Sequence, residues 1–106
     1  MRIDYEYFKG ILFVRIKGEL TIKTSYRLKE YLMDIIKIHG IRYLVYNLFD
    51  LKSLDNEGIK SMESIVKAIE MNKGIAYMCE VPKQFENKIN INNVSNEIGA
   101  IEILNI

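Results

Sequence analysis

The chain has 106 residues, 49% of them hydrophobic and 27% charged. That is apolar material for one small core and too little length for two. Lys+Arg 15 against Asp+Glu 14 leaves a net charge of +1, so the electrostatic footprint of general nucleic-acid binding is missing. One cysteine (Cys79) and one histidine (His39) exclude an intramolecular disulfide and a Cys/His zinc cluster. Apolar runs are short and broken by charges, and the stretch from Met1 to Glu6 has no secretory apolar region. The expectation is a single cytoplasmic domain over 1–106, with no membrane insertion and no nucleic-acid partner.

The elements follow in chain order. Ile3 to Phe8 alternates, with Ile3, Tyr5 and Tyr7 on one side and Asp4 and Glu6 on the other, as in an edge strand. Lys9-Gly10 reads as a tight turn into a more buried strand, Ile11 to Ile16. Thr24 or Ser25 caps a helix running to about His39, with Leu28, Leu32, Ile35 and Ile36 as its apolar face and Gly40 as its end. Tyr43 to Leu48 is a continuous β-prone run, expected of a central strand. A second helix starts near Asp55 and buries Ile59, Met62, Ile65, Val66 and Ile69. Gly74 precedes a strand from Ile75 to Cys79. Cys79 reads as a small core residue, and His39 as a cation facing a helix end. Pro82 opens a short third helix, with Phe85 and Ile89 facing inward. Asn90 to Asn96 reads as a loop, and Ala100 to Leu104 as a last strand.

The order is therefore β-β-α-β-α-β-α-β. It predicts an α/β domain with a mixed, mostly parallel sheet of about five strands and helices mainly on one face.

One segment carries functional information. Asn47 to Ile59 joins a central strand to a helix, and it holds Asp50, Asp55 and Glu57. In open α/β sheets ligands and partners are met at such junctions. Asp55 is also a good N-cap, and Glu57 suits the first helical turn on electrostatic grounds alone. Gly58 is the odd residue. A glycine there costs roughly 1 kcal/mol of helix propensity against alanine, which makes sense if a backbone or a partner must come close. A catalytic reading of the three carboxylates as a metal or acid/base group is the weakest. No positioned histidine, no nucleophile with a base and no phosphate loop accompanies them, and no cofactor is expected.

The element order, Gly18-Glu19-Leu20 after the second strand, and Asp55-Asn56-Glu57-Gly58-Ile59 at the helix start together resemble the STAS domain. This is the fold of bacterial anti-sigma factor antagonists of the sporulation and stress-response type, and the resemblance runs from about residue 3 to 104. It implies a non-catalytic regulatory module that binds an anti-sigma factor, itself a serine kinase. In the family the helix opens Asp-Ser-Ser-Gly, and the Ser before Gly is phosphorylated, which blocks binding by adding charge and bulk. Here Glu57 stands at that position and Asn56 at its neighbour, while Thr21 stands where many members have Asp. Glu57 accepts no phosphoryl group as a serine does. It carries one standing negative charge instead.

The docking surface implied by the resemblance comprises Asp50, Ser53, Asp55, Asn56, Glu57, Gly58 and the exposed helix positions Lys60, Ser61 and Ser64. Thr21 and Lys23 from the adjacent loop complete it. The alternative is a STAS subunit of a membrane-associated transport assembly of the lipid-transporter type, since such subunits often lack the phosphorylated serine.

Overall fold

A computed structural model describes residues 1–104. Six strands form the sheet: β1 (Arg2–Phe8), β2 (Ile11–Leu20), β3 (Tyr43–Asn47), β4 (Leu51–Leu54), β5 (Ile75–Cys79) and β6 (Asn92–Val94). Three helices accompany it: α1 (Tyr26–His39), α2 (Asn56–Met71) and α3 (Glu97–Leu104). The strand order is β1-β2-β3-β5-β6, with β4 paired to the far end of β2. Only β1 runs antiparallel to its neighbour.

The β1–β2 hairpin closes as expected through Lys9 and Gly10, both at positive φ (51° and 83°). Two such residues make the turn whose twist matches that of the flanking strands. β2 is longer than its apolar run. After Ile16 it bends at Gly18 (φ 89°), the register shifts, and Glu19 and Leu20 continue alongside β4.

Alternation along the strands sorts two apolar layers. Leu12, Val14, Ile16, Leu44, Tyr46, Ala76 and Met78 face α1 and α2, where they meet Leu28, Leu32, Ile36, Met62, Ile65 and Ile69. Ile11, Phe13, Val45, Cys79 and Val94 face the other way and are covered by Ala100 of α3. Tyr46 is fully buried because its hydroxyl donates to the Met62 carbonyl at 3.1 Å.

Five expectations are corrected. Ala100 to Leu104 is not a strand but the body of α3. Asn96, whose side chain accepts from the Gly99 amide at 2.7 Å, caps the first turn, and Glu97 suits its positive end. This helix covers the sheet face opposite α1 and α2. The sixth strand comes instead from Asn92–Val94, inside the expected loop, paired parallel to β5. Pro82 opens only one 3-10 turn, Lys83–Phe85, although Phe85 and Ile89 are buried as expected. Leu51–Leu54, taken as connecting loop, is β4. In α1 neither expected cap acts as one. Ser25 makes no side-chain cap, and the Thr24 hydroxyl donates to the Glu19 carbonyl at 2.7 Å.

Candidate functional site

The start of α2 is built from three chain segments that meet: the end of β2, the loop from Thr21 to Ser25, and the turn from β4 into the helix. Asp55, with extended backbone (φ −120°, ψ −178°), caps α2. One carboxylate oxygen accepts from the Gly58 amide at 2.9 Å, and the other accepts from the Ile22 amide at 2.9 Å. A single side chain thus fixes the helix start to the neighbouring loop. The Gly58 amide first, and the Ile22 amide next, hold this carboxyl below the usual carboxylate range.

Gly58 has a local explanation. It is buried, and a Cβ there would collide with the carbonyl oxygen of Leu20. The close approach suggested by the sequence is therefore between two backbones of this chain.

Further bonds tie the loop down. Thr24 Oγ1 accepts from the Thr21 amide at 3.0 Å, and the Thr21 carbonyl accepts from the amides of Thr24 and Ser25 at 2.9 and 2.7 Å. The Ser61 hydroxyl donates to the Ser25 carbonyl at 2.6 Å. Ser61 was expected on the exposed helix face. It is 6% exposed, because its position faces α1 and its hydroxyl is taken up there.

The remaining residues separate by exposure. Asn56, Glu57, Lys60 and Lys23 are exposed, and Thr21, Ser53, Asp55 and Ser64 are half-buried. Glu57 Oε1 lies 3.5 Å from Lys60 Nζ, one helical turn on, in an exposed pair. Between α1 and α2 runs an open groove of about 440 Å³, lined by Ser25, Tyr26, Lys29, Glu57, Lys60, Ser61 and Ser64.

Asp50 does not join this group. It sits before β4 while Asp55 follows it, so an extended strand separates them by roughly 16 Å. Asp50 lies instead 4.0 Å from Lys17 Nζ, beside Phe49 and Glu80. Among the described residues no group of three or more His, Cys, Asp or Glu is arranged to hold a metal ion.

Two exposed apolar residues at the site were not singled out from the sequence: Ile22 (68% exposed) and Tyr26 (53%). Their signal is an isoleucine set between Thr21 and Lys23 in a loop, with no strand or helix period to absorb it. Exposed aliphatic and aromatic side chains beside charge are what a protein-binding surface offers.

The STAS domain model matches residues 2–104. The chain belongs to the STAS domain family. A curated relative, an anti-sigma F factor antagonist from Paenibacillus polymyxa, is 23% identical, over 100% of this chain and 97% of its own. The structure of the anti-sigma factor antagonist SpoIIAA in its unphosphorylated form superposes with a TM-score of 0.79 at 14% identity, covering 98% of each chain. The murine Slc26a9 anion transporter contains a similar fold, with a TM-score of 0.80 at 13% identity, covering 94% of this chain and 18% of the transporter. In this STAS domain Asp55 and Gly58 fix the helix start, and Glu57 stands outward between them. No helix among the described residues is long and apolar enough to cross a membrane.

Proposed function

We propose that this STAS domain is a non-catalytic regulatory module that binds a kinase-type anti-sigma factor through the start of α2. Glu57 stands in it where the family carries its phosphorylated serine. The observation that carries the reading is the division of labour at the helix start. Asp55, Gly58, Thr24 and Ser61 are engaged within the chain, which leaves Asn56, Glu57 and Lys60 facing solvent beside Ile22 and Tyr26. A pre-organised polar rim around two exposed apolar side chains docks a protein with little ordering cost. The whole-length curated relative supports an antagonist over a transporter component, because the Slc26a9 likeness is one of fold alone.

The test is calorimetric titration with the kinase-type anti-sigma factor encoded in the same genome. Glu57→Lys reverses charge within the proposed contact and weakens binding by roughly tenfold or more. Lys37→Glu, near the other end of α1, leaves binding within about twofold. Equal effects of the two remove the α2 start as the contact. Glu57→Ser, incubated with the same kinase and ATP, gains the mass of one phosphoryl group. An unchanged mass argues against a kinase partner that recognises this site.

A further inference from the structure

We propose that two copies of this chain pair edge to edge through β1, extending the sheet across a two-fold axis at Ile3. β1 is the outer strand, and among the described residues nothing pairs with its free edge. Its seven residues run in unbroken register against β2, without proline or bulge, so the backbone blocks to edge pairing are missing and only the three charges of β1 restrict which pairing forms.

The hairpin fixes which backbone groups face outward. Phe8 and Ile11 flank the two-residue turn and form its closing hydrogen-bonded pair. Bonding alternates from there, so Arg2, Asp4 and Glu6 spend their amides and carbonyls on β2. Ile3, Tyr5 and Tyr7 present theirs to the open edge. Tyr5 and Tyr7 are also 50% and 59% exposed, beside a groove of about 500 Å³ closed on its other side by Ile35 and His39.

Charge selects the register. A two-fold axis through the sheet makes one residue of β1 oppose itself. Crossing at Arg2, Asp4 or Glu6 sets like charges face to face, and crossing at Tyr5 sets Asp4 against Glu6. Crossing at Tyr7 opposes no charges at all. Crossing at Asp4 also brings Arg2 against Glu6, but around its central Asp4–Asp4 pair, so crossing at Ile3 alone opposes unlike charges with no like pair, Arg2 of each copy against Asp4 of the other. It also makes Ile3 the hydrogen-bonded pair and puts Arg2 and Asp4 at the close, non-bonded positions where side chains couple most strongly. Arg2 is free to turn, since its side chain is 73% exposed and holds Asp4 of its own chain only at the surface, at 3.1 Å.

Sedimentation velocity on the full chain over rising concentration tests this. The expected result is a monomer–dimer equilibrium. Arg2→Asp and Asp4→Arg each turn two unlike pairs into two like pairs and raise the dissociation constant roughly tenfold or more. The double swap, Arg2→Asp with Asp4→Arg, restores it to within about threefold. Thermal melts by circular dichroism establish that each variant is folded. A chain that stays monomeric at every concentration overturns the proposal. So does a dimer indifferent to the single changes, or a double swap that fails to restore it.

Discussion

Gly58 shows how one missing methylene group shapes the site. In an open helix, alanine in place of glycine gains roughly 1 kcal/mol. Here the added Cβ meets the Leu20 carbonyl, which belongs to backbone that also accepts from the Asp55 amide at 3.3 Å. Either that bond or the cap must give way. Gly58→Ala is therefore expected to destabilise by about 1–3 kcal/mol, the ordinary cost of overpacking. Gly99→Ala is the contrast, since the nearest obstacle there is the hydroxyl of exposed Ser95, which can rotate away. Urea unfolding of the two variants gives the order, with the Gly58 change the worse. The reverse order removes the close approach of β2 to α2 as the reason for glycine. The same contact explains why Gly58 stood out in the sequence while its reason did not. A residue string shows that glycine is costly in a helix. Only the fold shows that a strand end 38 positions earlier, Leu20, lies against it.

Helix α3 is the element that depends most on a polar anchor. Its apolar contribution is small, with Ala100 buried and Ile101 and Leu104 only partly so. Its first turn is held by Glu97, which accepts from Arg15 Nε and Nη2 at 2.9 and 2.7 Å and from Asn47 Nδ2 at 2.8 Å. Asn47 also reaches Glu80, and Arg15 also reaches Glu6. The Arg15 guanidinium above all, with Asn47, holds the Glu97 carboxyl below the ordinary range, against the opposing effect of burial. A carboxyl lowered on folding stabilises the folded form fully above its unfolded value. That contribution is lost as pH falls through the lowered, folded value. Amide exchange of α3, corrected for intrinsic rate, should therefore speed up between about pH 6 and pH 3 more than exchange of α1 does, whose start is not capped by a lowered carboxylate as that of α2 is by Asp55. Glu97→Gln should remove most of that difference. A Gln variant with the same pH response removes the Glu97 carboxylate as its cause.

The elements also divide by how they can be read. β2, β3 and β5 are legible because their apolar runs lie between glycines or charges, and α1 and α2 because their apolar positions recur at helical spacing. β4 and β6 are three or four residues long and owe their pairing to strands already in place, so no local period announces them. In α3 the run Ala100-Ile101-Glu102-Ile103-Leu104 fits strand and helix alike. The deciding signal was upstream, in Asn96 and Glu97. At the site, the cap role of Asp55 and the first-turn place of Glu57 follow from residue type. The inward turn of Ser61 does not, because the neighbour that receives its hydroxyl, Ser25, is 36 positions away.

At the scale of the whole molecule the sheet separates a large apolar layer, under α1 and α2, from a small one under α3. The two need not open together, and Cys79 lies in the small one, fully buried. Burial above all, with Glu97 and Glu80 adding to it, pushes its thiol up to about 12. At neutral pH it is therefore a thiol, out of reach of a disulfide reagent until the layer opens. Labelling in the fast-reclosing regime reports the free energy of that opening. With α3 held by few apolar contacts and one ion-paired carboxylate, the opening should cost at least about 1 kcal/mol less than global unfolding measured in urea. Glu97→Gln should lower the labelling free energy while changing the global value less. A labelling free energy equal to the global one, in both proteins, means that α3 and the sheet open as one unit. That result removes the separate small layer as a physical entity.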